Sequence, residues 1–177
     1  MPNAGNALVA GPDTAAFRAA MGCFPTGVTL LTRGSGPSTR VMTVNSLTSL
    51  SLDPLLISVS VTTDGRMRPL VEQTGSYAVN VLSESHRELA GEFARRDRPD
   101  GVAAMLRCGA VEGITGNAVV PDAVASFECL LHAVHPAGDH VLLIGRVVAL
   151  HGGAAGSRPL LFHQGSFSRL PQPEEDR

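Results

Sequence analysis

Polar and apolar positions alternate strictly across "LISVSVT" (56–62), with Ile57, Val59 and Val61 on one side and Ser58, Ser60 and Thr62 on the other. A period of two sends successive side chains to opposite faces of a strand, so this segment predicts a strand with one apolar and one polar face. "YAVNVL" (77–82) repeats the pattern. "VTLLT" (28–32) is separated by the turn-rich "RGSGPSTR" from a second strand-like stretch at 41–52, the layout of a hairpin. Farther along, "FECLLHAV" (127–134) and "HVLLIGRVVAL" (140–150) flank the reverse-turn composition "HPAGD", and "PLLFHQGSF" (159–167) closes the series.

Helical spacing is confined to short pieces. Asp13 is placed to cap a helix carrying Phe17, Ala20 and Met21 on one face, with Gly22 and Pro25 closing it. A helical piece around 67–74 precedes "YAVNVL", and Ser83 caps a helix whose His86, Leu89, Ala90 and Phe93 recur at i, i+3, i+4 and i+7. From 99 to 125 the pattern weakens into glycine-rich mixed sequence, expected to form a long excursion over the surface or over a site. Residues 1–12 and 171–177 read as flexible arms around one domain at 13–170. Six or seven strands without regular strand–helix alternation predict a mainly β fold, an antiparallel barrel with peripheral helices rather than a doubly wound parallel sheet.

At 177 residues the chain is long enough to bury a core without disulfide or metal staples. A formal charge of −2 provides no attraction for nucleic acid or a polybasic membrane contact. Cys23, Cys108 and Cys129 are widely spaced and outside C-x-x-C pairs, as expected for reduced, mostly buried thiols. No apolar run approaches the ~20 residues that span a bilayer, and no signal-peptide pattern opens the chain, so a soluble cytoplasmic protein is expected.

All fourteen basic residues are arginine, which removes the lysine that a P-loop or a pyridoxal phosphate site requires. The histidines form no H-E-x-x-H pair, and His132 and His135 would point to opposite faces of a strand, so no metal site is expected. Neither G-x-S-x-G nor G-x-G-x-x-G is present. A nucleotide, if bound, is bound without a Rossmann crevice.

The segment "MTVNSLTSLSLDP" (42–54) spends five positions on hydroxyls and one on an amide. Each such group costs on the order of 1–3 kcal/mol if buried without a partner, so something must meet the row. One explanation is a half-exposed strand, where small and β-branched residues suit a pleated surface. Another is a ligand such as a flavin nucleotide, whose pyrimidine edge, ribityl hydroxyls and phosphate accept uncharged donors without carboxylate repulsion.

Five stretches, "FRAAMGCFPTGVTLLT" (17–32), the hydroxyl-rich segment, "YAVNVLSESHRELAGEFA" (77–94), "GDHVLLIGRV" (138–147) and "PLLFHQGSF", together resemble the flavin reductase-like family, in order and across nearly all of 14–170. The resemblance implies an FMN-binding split barrel that acts as an NAD(P)H:flavin oxidoreductase, the reductase component of two-component flavin monooxygenases. It implies FMN or FAD as the flavin, NADH or NADPH as hydride donor, a partner oxygenase and a homodimer.

By the same resemblance, Val41, Met42, Thr43, Asn45, Ser46 and Ser49 would lie along the flavin, with Ser60, Val61 and Thr62 toward its ribityl and phosphate end. Arg66 would pair with the phosphate, as a planar guanidinium can do bidentately, and Phe93 would stand near the flavin. His140 would position the nicotinamide, and His163, Gln164 and Gly165 would line the same pocket. Departures from the family pattern are Val41 in place of a frequent glycine, Leu55 in place of a second proline, and His163–Gln164 in place of an aromatic–arginine pair. A barrel that binds flavin or another small ligand without turnover is the alternative.

Overall fold

The computed structural model describes residues 11–153 and 156–171. The chain begins with helix α1 (Thr14–Gly22), capped by Asp13, whose carboxylate accepts the Ala16 N–H at 2.7 Å. Strands β1 (Thr26–Gly27), β2 (Thr29–Arg33), β3 (Arg40–Val44), β4 (Thr48–Leu52) and β5 (Leu55–Thr62) follow. Helix α2 (Met67–Thr74), strand β6 (Ser76–Val81) and helix α3 (Arg87–Ala94) come next. Then come α4 (Gly101–Arg107), β7 (Val111–Glu112), β8 (Ala118–Val119), β9 (Ala125–Ala137), β10 (His140–Gly152), β11 (Leu161–His163) and β12 (Ser166–Ser168).

Seven strands form one antiparallel sheet in the order β3-β2-β6-β9-β10-β5-β4, flanked by the small sheets β1-β11-β12 and β7-β8. The expected hairpin of 28–32 with 41–52 is half correct. Thr32 pairs with Val41 and Thr29 with Val44, but the chain then leaves the ladder at 45–47 and β4 pairs with β5 at the opposite edge. Because β3 and β4 are the two edges of the sheet and are consecutive in the chain, segment 45–47 closes the barrel.

Alternation places the core as the pattern requires. Ile57, Val59 and Val61 join Leu31, Tyr77, Val79 and Leu143 in one buried cluster. Leu30 and Val41, on the other face of β2 and β3, pack with Leu89 and Phe93 of α3 in a second. A strand buried on both faces reads as a continuous apolar run, which is why "TLLTR" does not alternate. Asn80, fully buried between β2 and β9, is paired: it donates to the Leu30 carbonyl and the Thr32 hydroxyl, and accepts from Val120 N–H and the Ser126 hydroxyl.

The 99–125 region is not an irregular excursion. It holds α4 and the β7–β8 hairpin, tied down by the fully buried Glu128 of β9, which accepts from Ile114 N–H, Thr115 N–H and the Thr115 hydroxyl. The expected "HPAGD" turn is narrower, because β9 and β10 pair from Ala137 and His140 outward. The arms expected at 1–12 and 171–177 lie almost wholly outside the described residues.

Candidate active site

A cleft of about 870 Å³ opens between α1, β1, the crossing segment 45–47 and the β11–β12 turn. That volume falls in the range of small-molecule sites. Its apolar wall includes Phe17, Met21, Phe24 and Phe162, and its polar wall Thr26, Asn45, Ser46, Thr48 and Gln164. Among the described residues, Arg18 is the one charged lining residue and no carboxylate reaches the cleft.

The face of α1 that alternation marks as apolar is not packed. No residue of α1 is buried, and Phe17 and Met21 are 58% and 52% exposed. Large apolar side chains grouped at a cleft mouth mark a binding surface. The opposite wall is a two-residue hairpin turn: Gln164 (φ 48°) and Gly165 (φ 76°) both take positive φ, as a type I′ turn requires. Gln164 is the one non-glycine residue so placed among the described residues, and its N–H donates to the Gly22 carbonyl at 2.9 Å, locking the turn to the end of α1.

The hydroxyl row divides into groups the protein satisfies and groups it leaves free. Thr43 donates to the Ala90 carbonyl of α3 at 2.7 Å. Ser46 accepts from Ser60 N–H at 3.0 Å and donates to the Ser60 carbonyl at 3.2 Å, standing in for a ladder rung between segment 45–47 and β5. Ser51 accepts from Asp53 N–H at 3.2 Å. Asn45 and Thr48 project into the cleft, and neither side chain has a hydrogen bond among the described residues. Thr26 Oγ1, on the same wall, is buried and without a partner.

A second polar cluster lies at the other end of β3. Ser46 meets Ser60; six residues away in the chain from each, Arg40 and Arg66 meet across Asp100, with Arg40 Nε 3.7 Å and Arg66 Nη1 3.3 Å from its carboxylate oxygens. No ladder joins β3 to β5 among the described residues, so the interval is a split in the barrel wall. Arg98 borders the same cluster, donating to the Val41 carbonyl at 2.8 Å.

Of the residues singled out in the sequence, the structure brings Asn45, Ser46, Gln164 and Gly165 to the cleft. Met42, Thr43, Ser60, Thr62 and Arg66 lie along the split or beside it. Val41, Val61 and Phe93 are 1%, 2% and 0% exposed, so their side chains belong to the core and offer a ligand no surface. Ser49 is exposed on β4 and outside the cleft lining. His140 opens β10 opposite Thr62 and its Nδ1 contacts the Asp139 carboxylate at 2.8 Å; it flanks the end of β5 rather than the cleft. His163 is half-buried next to Gln164 but is not a lining residue.

Thr26, Thr48, Phe17 and Phe24 also line the cleft, though none is singled out in the sequence as a ligand contact. Thr48 belongs to the quoted hydroxyl row and Phe17 to the apolar face of α1, which only the long-range placement of that helix brings to the cleft.

The family described as "Flavin reductase like domain" matches residues 21–171. Among curated relatives, the NADH-dependent FMN reductase AsuE2 of Streptomyces nodosus subsp. asukaensis is 44% identical over 162 residues, covering 92% of this chain and 88% of that one. The reductase component of 4-hydroxyphenylacetate 3-monooxygenase from Thermus thermophilus is 34% identical, covering 89% and 97%. Among solved structures, BorF, the flavin reductase component of a bacterial two-component tryptophan halogenase, superposes with a TM-score of 0.83 at 37% identity, covering 90% and 99%. The NADH:FAD oxidoreductase SgcE6 of Streptomyces globisporus C-1027, in complex with NAD and FAD fragments, gives 0.82 at 33% identity, covering 93% and 96%. The fold, the order of the motifs and the family match across 21–171 agree: this chain belongs to the flavin reductase-like family.

Proposed function

We propose that the chain is an NADH-dependent flavin reductase that reduces FMN or FAD and releases the reduced flavin to a partner monooxygenase. The observation that carries this is the cleft itself: large, free of carboxylates, walled by exposed aromatics, and supplied with uncharged donors and acceptors that the protein leaves unpaired. That chemistry fits an isoalloxazine ring. Asn45 and Thr48 would meet its polar edge, and Phe17, Phe24 and Phe162 its apolar faces. Arg66, at the far end of the split, would hold the phosphate.

A bound flavin supplies an electron-accepting ring, and the reduced nicotinamide supplies the hydride. The chain's own contribution is placement and exclusion of water. Holding two rings in contact geometry is worth up to about 7–11 kcal/mol over a bimolecular encounter. The absence of carboxylates along the cleft leaves developing negative charge on a reduced ring unopposed, and Arg18 favours it. No acid or base is required for hydride transfer, so none is assigned. Gln164 and Gly165 would border the nicotinamide, with His163 behind them. His140, beside Thr62, would act from the split side in the same positioning role.

A homodimer accounts for the apolar side chains on the β4–β5 hairpin, where Leu50, Leu52 and Leu55 are 48%, 85% and 47% exposed. Sedimentation should give the mass of a dimer; a monomer at micromolar concentration contradicts it. Delivery of flavin to the oxygenase needs no stable complex. No helix among the described residues is long and apolar enough to cross a membrane, and the free cysteines suit a cytoplasmic location.

The function is tested by mixing the protein with NADH and excess FMN or FAD and following nicotinamide absorbance. Loss of NADH that scales with flavin is expected. Flavin binding without NADH oxidation would instead make the chain a non-catalytic flavin binder.

A further inference from the structure

The Phe162–Phe167 pair of the β11–β12 hairpin stands between two cavities. Its rings meet edge-on, with centroids 5.7 Å apart and planes at 64°. Phe162 lines the cleft, whereas Phe167 lines a second pocket of about 400 Å³ that shares no lining residue with the cleft. That volume lies toward the lower end of the range for small-molecule sites.

This pocket differs from the cleft in charge. Its floor is apolar, made by the buried Leu160 and the half-buried Phe167, and its rim carries Arg87, Ser168 and Arg169. Among the described residues Glu84 is the one lining acid, and Arg158 compensates it from outside the lining, with Nε 3.1 Å from Oε1. Two guanidinium groups therefore line the pocket with no lining carboxylate left to balance them.

Arg87 is held in place before any ligand arrives. Its Nη1 donates to the Phe167 carbonyl at 2.9 Å, and its guanidinium carbon lies 5.9 Å from the centre of the Phe167 ring. A guanidinium has five N–H donors, so most of those on Arg87 remain for an acceptor in the pocket. Ser168 and Arg169 add donors that have no hydrogen-bond partner among the described residues. An apolar floor beneath ordered guanidinium donors suits a planar anion on an apolar body, because a carboxylate accepts from guanidinium groups in charge-assisted, bidentate geometry.

We propose that this pocket is a second binding site, for a small organic carboxylate with an apolar body, and that its occupation is coupled to the cleft through the Phe162–Phe167 contact. The carboxylate pairs with Arg87 and Arg169 while the apolar body covers Leu160 and Phe167. An occupant that bears on Phe167 bears on the ring that walls the cleft, and the same hairpin carries Gln164 and Gly165, which line the cleft. The site stands apart from the flavin reading above; the coupling rests on it.

Benzoate tests both parts, titrated into the full chain and followed by ligand-observed NMR, with acetate, which lacks the apolar body, and benzyl alcohol, which lacks the charge, as controls. We expect saturable benzoate binding about fivefold or more tighter than either control, and about fivefold weaker in Arg169→Gln. Arg169 is exposed, so the variant should fold normally. Benzoate should still bind when FMN is saturating, and should change the FMN Kd by a factor that levels off as benzoate is raised, FMN changing the benzoate Kd by the same factor. Benzoate binding no tighter than benzyl alcohol, or indifferent to Arg169→Gln, overturns the site. Strict competition with FMN puts benzoate in the cleft and also overturns it. An unchanged FMN Kd at saturating benzoate overturns the coupling and leaves the site. Failure of FMN to bind while benzoate binds as expected overturns the flavin reading and leaves the site standing.

Discussion

The Ser46 hydroxyl engages both backbone polar groups of Ser60, accepting from its N–H at 3.0 Å and donating to its carbonyl at 3.2 Å. One side chain thus ties the segment that crosses between the sheet's edges to β5, at the point where the cleft meets the split. Ser46→Ala leaves the Ser60 N–H and carbonyl without this partner. It should cost about 1–2 kcal/mol in urea unfolding and weaken flavin binding. Unchanged stability would mean that water replaces the hydroxyl without loss.

Thr26 should behave in the opposite way. Its Oγ1 is buried on the cleft wall with no partner, a cost paid in the free protein. Thr26→Val keeps the shape and removes the orphan, so the free protein should gain up to about 1 kcal/mol with flavin affinity unchanged. Thermal melts with and without FMN check both. Loss of stability in the free protein would show that the hydroxyl is structural.

Glu128 makes acid stability visible. Burial pushes its carboxyl up, but hydrogen bonds from Thr115, His151 and Ile114 outweigh burial and hold it below its ordinary value of 4.5. A depressed carboxyl contributes stability that is present above its unfolded value and lost as pH falls through the folded one. Unfolding midpoints should therefore drop on acidification below pH 4.5. In Glu128→Gln the drop should be smaller, against a loss of about 2–3 kcal/mol at neutral pH. Parallel pH curves for the two proteins would exclude the carboxylate as the cause.

The three free cysteines separate by burial. Cys23 is exposed, between the cleft residues Gly22 and Phe24, whereas burial pushes the Cys108 and Cys129 thiols up to about 12. A thiol reagent at neutral pH should modify Cys23 alone in native protein and all three after denaturation. A bulky adduct at Cys23 should also reduce flavin binding. Rapid native modification of Cys108 or Cys129 would indicate that the core opens on that timescale.

Much of this was legible from the chain. Strict alternation identified β5 and its buried face of Ile57, Val59 and Val61, and Asp13 announced α1 through its capping chemistry. The break at 45–47 was not legible, because both halves of "MTVNSLTSLSL" satisfy the strand pattern and nothing local says they pair at opposite edges. Helix α4 spans only Gly101–Arg107, too short for a periodicity to emerge from glycine-rich surroundings. The site was partly legible for the same reason. Asn45, Ser46, Gln164 and Gly165 come together at one cleft, whereas Phe93 goes to the core and Phe17 of α1 comes to the cleft. Helical spacing marks an apolar face without saying whether protein or ligand will cover it.

The central claim is spatial: a flavin would place its ring in the cleft and its phosphate at Arg66. A crystal structure of the protein soaked with FMN tests it most directly. We expect the isoalloxazine between α1 and the Asn45 and Thr48 side chains, and the phosphate within hydrogen-bonding distance of Arg66. A ring bound elsewhere, or a phosphate turned into solvent away from Arg66, would contradict the account.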